Sequence, residues 1–211
     1  MAYVQKGEAT SIDATAGGAG RTIRDPTNGE EITFLETAAE SGEDRLVIRL
    51  TLAPGGAVPL HAHPAQEDFE CLEGQLAFHL AGQAIELSPG STVTALPGTV
   101  HGFRNVFGAP ATLRIVATHG AEMEYGLRVK VAMMQDGAFT SAGRPKDLLL
   151  GSVLLHRSAI YLAPMPVWLY RPLIAALAAL DRWRGREQVL RTRYPDYVRL
   201  LDAVHRRERG T

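Results

Sequence analysis

The stretch "LHAHPAQEDFECLEG", Leu60–Gly74, sets two histidines one residue apart, a glutamate four positions after the second, and a closing glycine in an otherwise apolar run. Alternate residues of a β-strand share a face, so His61 and His63 project to one side while Ala62 points to the other. If the chain then turns and pairs back, Glu67, Phe69 and Cys71 form the inward row of the next strand. Two imidazoles and a carboxylate then converge. Further along, "LPGTVHGFRN" (96–105) brings His101 after a glycine-containing turn, with Phe103 and Asn105 on its side. Three neutral imidazoles and one carboxylate make a borderline donor set. It suits Fe, Mn, Ni, Co or Zn and leaves coordination positions open for water, substrate or dioxygen.

Around these motifs the texture of the chain changes twice. Residues 1–20 are small and polar, end in "ATAGGAG", and read as a flexible N-terminal arm. Residues 21–119 carry short alternating runs between Gly- and Pro-containing turns, the pattern of an all-β sandwich or barrel. In "RLVIRLTL" (45–52), Leu46, Ile48, Leu50 and Leu52 alternate with Arg45, Val47, Arg49 and Thr51. In "QLAFHLAG" (75–82), Leu76, Phe78 and Leu80 alternate with Ala77 and His79. Asn28-Gly29 offers the positive φ angles of a tight hairpin. From about residue 120 the period becomes helical, with runs over 121–137, 146–163, 171–183 and 196–209. Pro172 suits the first position of the third helix. The expected organisation is a β-barrel over 21–119 and a helical C-terminal extension over 120–211.

Bulk properties exclude several classes. A formal charge of -1 gives no global attraction to nucleic acid. Cys71 is the only cysteine, so no intramolecular disulfide can form and a reducing compartment fits. The N-terminus lacks the apolar core of a signal peptide, so the expected location is the cytoplasm. The greasiest region, 153–180, has a longest uncharged stretch of 13 residues, Ser158–Tyr170, which contains Pro164 and Pro166. A spanning helix needs roughly 20 apolar residues. No transmembrane segment is expected.

With these residues in view, the chain resembles the cupins, small double-stranded β-helix barrels. Their first motif, G-x5-HxH-x3-E-x6-G, is matched by Gly55, His61, His63, Glu67 and Gly74. Their second, G-x5-PxG-x2-H-x3-N, is matched by Gly90, Gly98, His101 and Asn105. Leu96 stands at the proline position, with Pro97 after it, a departure that touches the turn and not the ligands. The likeness covers most of residues 21–200. It extends to a group of bacterial single-cupin proteins whose helical tail carries an "RYP-Y" signature, here "RYPDY" (193–197). The resemblance implies a mainly β fold, a jelly-roll barrel followed by C-terminal α-helices, with a divalent transition metal held by His61, His63, Glu67 and His101. Cupins with this ligand set include dioxygenases acting on aromatic or enolic compounds, isomerases and decarboxylases.

Beside the ligands, Phe69, Cys71, Phe103 and Asn105 are expected to wall a pocket for a small-molecule ligand. The two phenylalanines suit an apolar or aromatic one, although Phe is also a common barrel filler and a buried cysteine acts as a small hydrophobe. His79 is expected in a surface or sheet-packing role, His119 near the barrel mouth, and His156 and His205 in the tail. Arg45, Arg49 and Arg114 are expected to face solvent. From Arg171 onward ten arginines stand against five acidic residues, with tryptophan and tyrosine nearby. The tail reads either as packing, on the barrel or across a homodimer interface, or as a surface for anionic membranes. Two functions stay open: a metal-dependent oxidoreductase of the dioxygenase type acting on a small apolar, aromatic or enolic molecule, or a non-catalytic small-molecule-binding module whose tail docks a partner subunit or a membrane surface.

Overall fold

Period-two alternation drives the first half of the chain into strands, because each run has one apolar face to hide. The computed structural model of the protein describes residues 5–6, 20–42, 44–140 and 143–210. Its strands run β1 (Gln5–Lys6), β2 (Thr22–Asp25), β3 (Glu30–Glu36), β4 (Arg45–Leu52), β5 (Ala57–Ala62), β6 (Glu67–Glu73), β7 (Leu76–Leu80), β8 (Gln83–Leu87), β9 (Ser91–Ala95), β10 (His101–Arg104) and β11 (Ala111–Thr118). The tail adds α1 (Gly120–Gln135), α2 (Leu148–Arg157), β12 (Tyr161–Leu162), α3 (Val167–Trp183), α4 (Glu187–Arg193) and α5 (Pro195–Arg209). The strands form two antiparallel sheets, ordered β1-β9-β6-β11-β4-β3-β2 and β12-β5-β10-β7-β8. This is the mainly β fold with a helical tail that the resemblance implied. Of the arm expected over 1–20, Gln5–Lys6 pairs with the edge of β9; residues 1–4 and 7–19 lie outside the described residues.

Both sheets turn their apolar rows into one core. Leu46, Ile48, Leu50 and Leu52 of β4 are buried with Leu76, Phe78 and Leu80 of β7. Each such side chain contributes roughly 1.5–3 kcal/mol on leaving water. His79 lies on the other face of β7 and is half-buried. The β2–β3 connection departs from expectation. Only Gly29 takes a positive φ. Asn28 acts through its side chain instead, accepting from the Glu30 N–H (3.0 Å) and donating to the Ala57 carbonyl (3.2 Å). Gly74 is irreplaceable on two counts: its φ is +72°, and a Cβ there would stand 2.4 Å from the Pro110 carbonyl oxygen.

The tail joins the barrel through α1, which is apolar on two sides. Met123 and Leu127 face the barrel core, while Ala121, Tyr125, Val129 and Met133 face a second core with Leu190, Tyr197 and Leu200. Elsewhere the tail corrects three expectations. The helix expected over 146–163 stops at Arg157; Ala159 turns left-handed at φ 50°, and Tyr161–Leu162 enters the second sheet as β12. Pro172 does not start α3 but sits inside it, because the chain is released into a helix just after Pro166, at Val167. Its missing N–H deprives the Trp168 carbonyl of its helical donor, which is tolerable where water reaches the helix. The short α4 had no counterpart in the sequence reading. Among the described residues, no helix is long and apolar enough to cross a membrane.

Candidate metal centre

The two motifs are stitched to each other by backbone. Gly55 N–H donates to the Asn105 carbonyl (2.9 Å), and Asn105 N–H donates to the Gly56 carbonyl (2.9 Å). Gly98, in the turn before β10, donates to the His63 carbonyl (2.8 Å). Strands β5 and β10 pair His101 with His61 but Phe103 with Val58, so β5 holds one extra residue between the two pairs. Gly102 permits this bulge: a Cβ there would lie 2.9 Å from the carbonyl oxygens of both Val58 and Pro59. Glu67 arrives at the start of β6, clamped between Ala95 of β9 and Ala117 of β11. His63 follows β5 directly.

This framework brings four donors together. Among the described residues, His61, His63, Glu67 and His101 form a cluster whose ligand atoms all lie within 4.8 Å of one another. Nε2 of His63 and Nε2 of His101 approach the same oxygen, Glu67 Oε2, at 2.9 and 2.8 Å. On their far sides, His61 Nδ1 donates to the Pro59 carbonyl (2.8 Å) and His101 Nδ1 to the Thr99 carbonyl (2.9 Å). A carbonyl only accepts, so in both rings Nδ1 holds a proton and Nε2 is the atom turned toward the cluster. This is the tautomer control found behind metal-ligating imidazoles. His63 Nδ1 is buried without a hydrogen-bond partner.

The electrostatics follow from this packing. Burial opposes ionisation of Glu67, but hydrogen bonds from His101 and His63, and their charge, hold its pKa well below the usual carboxylate range. Burial also opposes protonation of His101, yet the Glu67 hydrogen bond and charge outweigh it and raise its pKa. His61, whose exposed surface faces a cavity, is pushed down to about 3 by burial and then by His101. A buried carboxylate surrounded by imidazole Nε2 atoms needs positive charge in its midst. A divalent transition metal fits that place and these donors.

The cluster opens on a cavity of about 530 Å³ that lies between barrel and tail. Phe69, Phe103 and Ile115 line it from the strands, and Met123, Leu127 and Leu154 from the helices. Two ion pairs stand in its wall, Lys130 with Glu30 (3.1 Å) and Arg207 with Glu122 (2.9 Å). His119 lines it too, left-handed at φ 55°, its pKa lowered by burial and then by Arg207. Of the four residues expected to wall a pocket, Phe69 and Phe103 line this cavity. Cys71 and Asn105 do not line the cavity. Cys71 is buried in the barrel core, where its thiol approaches the Glu73 and Gly74 carbonyls (3.7 and 3.8 Å). Asn105 staples a loop: Nδ2 donates to the Leu52 and Ala109 carbonyls (3.0 and 2.8 Å), and Oδ1 accepts from Phe107 N–H (3.0 Å). The helical wall of the cavity was missed from sequence. Its signal was there in α1, where Met123 and Leu127 make a second i, i+4 stripe beside Tyr125 and Val129; a helix apolar on two sides lies between two layers.

A known family accounts for the segment that carries these donors. The cupin domain family matches residues 48–117. A protein from Thermus thermophilus, TT1209, is 31% identical over 36% of this chain and 73% of its own, with a TM-score of 0.35. A predicted oxalate decarboxylase from Thermotoga maritima is 24% identical over 46% of this chain and 89% of its own, with a TM-score of 0.42. The polyketide cyclase RemF from Streptomyces resistomycificus is 21% identical over 53% of this chain and 80% of its own, with a TM-score of 0.44. No protein of curated function matches the chain.

Proposed function

This chain belongs to the cupin superfamily, and from that premise we propose that it is a metal-dependent oxidoreductase, a dioxygenase acting on a small apolar, aromatic or enolic molecule. One observation carries the reading: three imidazoles and a carboxylate converge in the wall of a cavity that is otherwise mostly hydrocarbon. His61, His63, Glu67 and His101 would hold the metal. When bound, such a metal polarises an oxygen atom of the substrate and, as iron, offers a position for dioxygen.

The chain's own residues do the rest. The Pro59 and Thr99 carbonyls keep Nε2 of His61 and His101 directed inward. Glu67 supplies one negative charge, which lowers the net charge of the centre. Phe69 and Phe103 confine the substrate, and the apolar wall excludes water and so strengthens every electrostatic contact inside. The same wall selects against polyhydroxylated substrates, since each hydroxyl left against Phe or Leu without a partner costs about 1–3 kcal/mol. Two of the charged pairs in the wall, Lys130 with Glu30 and Arg207 with Glu122, already neutralise each other.

A second reading, a small-molecule-binding module with a docking tail, is favoured by the apolar residues that α3 exposes. The two readings separate in one experiment. The purified protein is loaded anaerobically with Fe(II), and oxygen uptake is followed on adding catechols and enolic diketones. The enzyme reading expects uptake that depends on both iron and compound. Ligand-induced thermal stabilisation with no uptake across the panel overturns it in favour of the binding module.

A further inference from the structure

We propose that the outer face of α3 is a docking surface for an anionic lipid bilayer. The helix buries Tyr170, Ile174, Ala178 and Asp181 against the protein. Its opposite face is apolar as well. Trp168, Pro172, Ala176, Ala179 and Trp183 follow one another at helical spacing, flanked by Leu169, Leu173 and Leu180. Trp168 is 77% exposed and Trp183 82%. Two solvated tryptophans on one unpartnered stripe mark an interaction surface, not scattered surface hydrophobes. At 17 residues α3 spans only about 25 Å, so it lies along an interface and does not cross one.

Charge selects the occupant. Of the five arginines from Leu148 to Arg186, Arg157 and Arg182 pair with Glu187, and Arg186 pairs with Asp147 and Asp181, which leaves Arg171 and Arg184. Arg171 and Arg184 are exposed on either flank of the apolar stripe. A second copy docked by a two-fold axis lays this face on itself. It would set Arg171 and Arg184 against their own copies, with no exposed acid on α3 to answer them. A bilayer containing anionic phospholipid answers both features: the interfacial region takes the indoles and leucines, and phosphates take the guanidiniums. The surface is continuous with the cavity rim. Leu162 of β12 lines the cavity and pairs with His61, and five residues later the chain starts α3. Delivery of an apolar substrate from the bilayer follows only if the proposed function also holds; docking itself does not depend on it.

Intrinsic fluorescence gives a direct test, because the chain's two tryptophans are both on α3. The full-length protein is sedimented with vesicles of phosphatidylcholine alone and of an equal mixture with phosphatidylglycerol, while tryptophan emission is recorded. Docking predicts co-sedimentation with the anionic vesicles, a blue shift on binding, and release at high salt. Trp168→Ala with Trp183→Ala should weaken binding at least about tenfold. Arg171→Gln and Arg184→Gln should each weaken it about fivefold on anionic vesicles only. Far-UV circular dichroism and metal content should stay unchanged in all of them, which keeps failure of docking distinct from failure of the metal site. No sedimentation with anionic vesicles overturns the proposal. So does a stable dimer in the ultracentrifuge that the tryptophan variants convert to monomer.

Discussion

The protein buries ionisable groups in two places and handles them in opposite ways. In the barrel, three imidazoles and a carboxylate converge on a common centre, with Nε2 to Oε2 contacts of 2.8 and 2.9 Å. In the tail, opposite charges interleave. Glu187 lies 3.9 Å from both Arg157 and Arg182, and Asp181 lies 3.7 Å from Arg186. Both Asp181 oxygens and Arg182 Nη1 are buried without hydrogen-bond partners. The tail cluster neutralises itself loosely and positions helices. The barrel cluster is tightly organised about a single carboxylate oxygen, with ring nitrogens turned toward it. Burial of charge alone therefore says little about function; the direction of the donors decides.

The sharpest way to break this contrast is to remove a donor from each side. His61→Ala or His101→Ala should lower metal affinity by more than about 100-fold, beyond the loss typical of an outer hydrogen-bond partner. Far-UV circular dichroism should remain that of the intact barrel, and elemental analysis of the dialysed variants measures the loss. In the tail, Glu187→Ala strands Arg157, Arg182 and Arg191 and should cost about 1–3 kcal/mol in urea unfolding, with metal content unchanged.

Asp181→Asn sharpens the comparison further. Burial, then Glu187, raises the Asp181 pKa. A carboxyl whose pKa is raised by folding favours the native state below its unfolded pKa, and that support is lost as pH rises through the folded value. The Asn variant should match wild type at low pH and exceed it in thermal stability at neutral pH. The smallest effect belongs to Cys71. Burial pushes its thiol up to about 11, so the native protein should resist alkylation at pH 8 and gain reactivity about tenfold per pH unit toward that value. Cys71→Ala should cost about 1 kcal/mol and leave metal content as it was.

These cases also show where the sequence was readable. The strands were, because a run with one buried face admits one register of alternation; Leu46, Ile48, Leu50 and Leu52 are buried as expected, although Val47 of the opposite row is buried too. The four donors were, because both motifs encode turns and a bulge that bring them together. Asn105 was misplaced because β10 ends at Arg104, so period-two reasoning did not reach it. Cys71 shows a different gap: an inward-facing residue need not face the cavity, and only the depth along β6 separates it from Glu67 and Phe69. In the tail, a two-residue strand such as β12 has no period to detect. Pro172 misled because proline favours the first helical turn, while Pro166 upstream had already set the start.

The most direct test of the account is X-ray absorption spectroscopy of the metal-loaded protein at the metal edge, compared with His101→Ala. Convergence of His61, His63, Glu67 and His101 predicts three imidazole scatterers and one carboxylate oxygen in the native centre, with one imidazole fewer or no bound metal in the variant. An unchanged imidazole count in His101→Ala, or a native protein that retains no transition metal after loading, would contradict it.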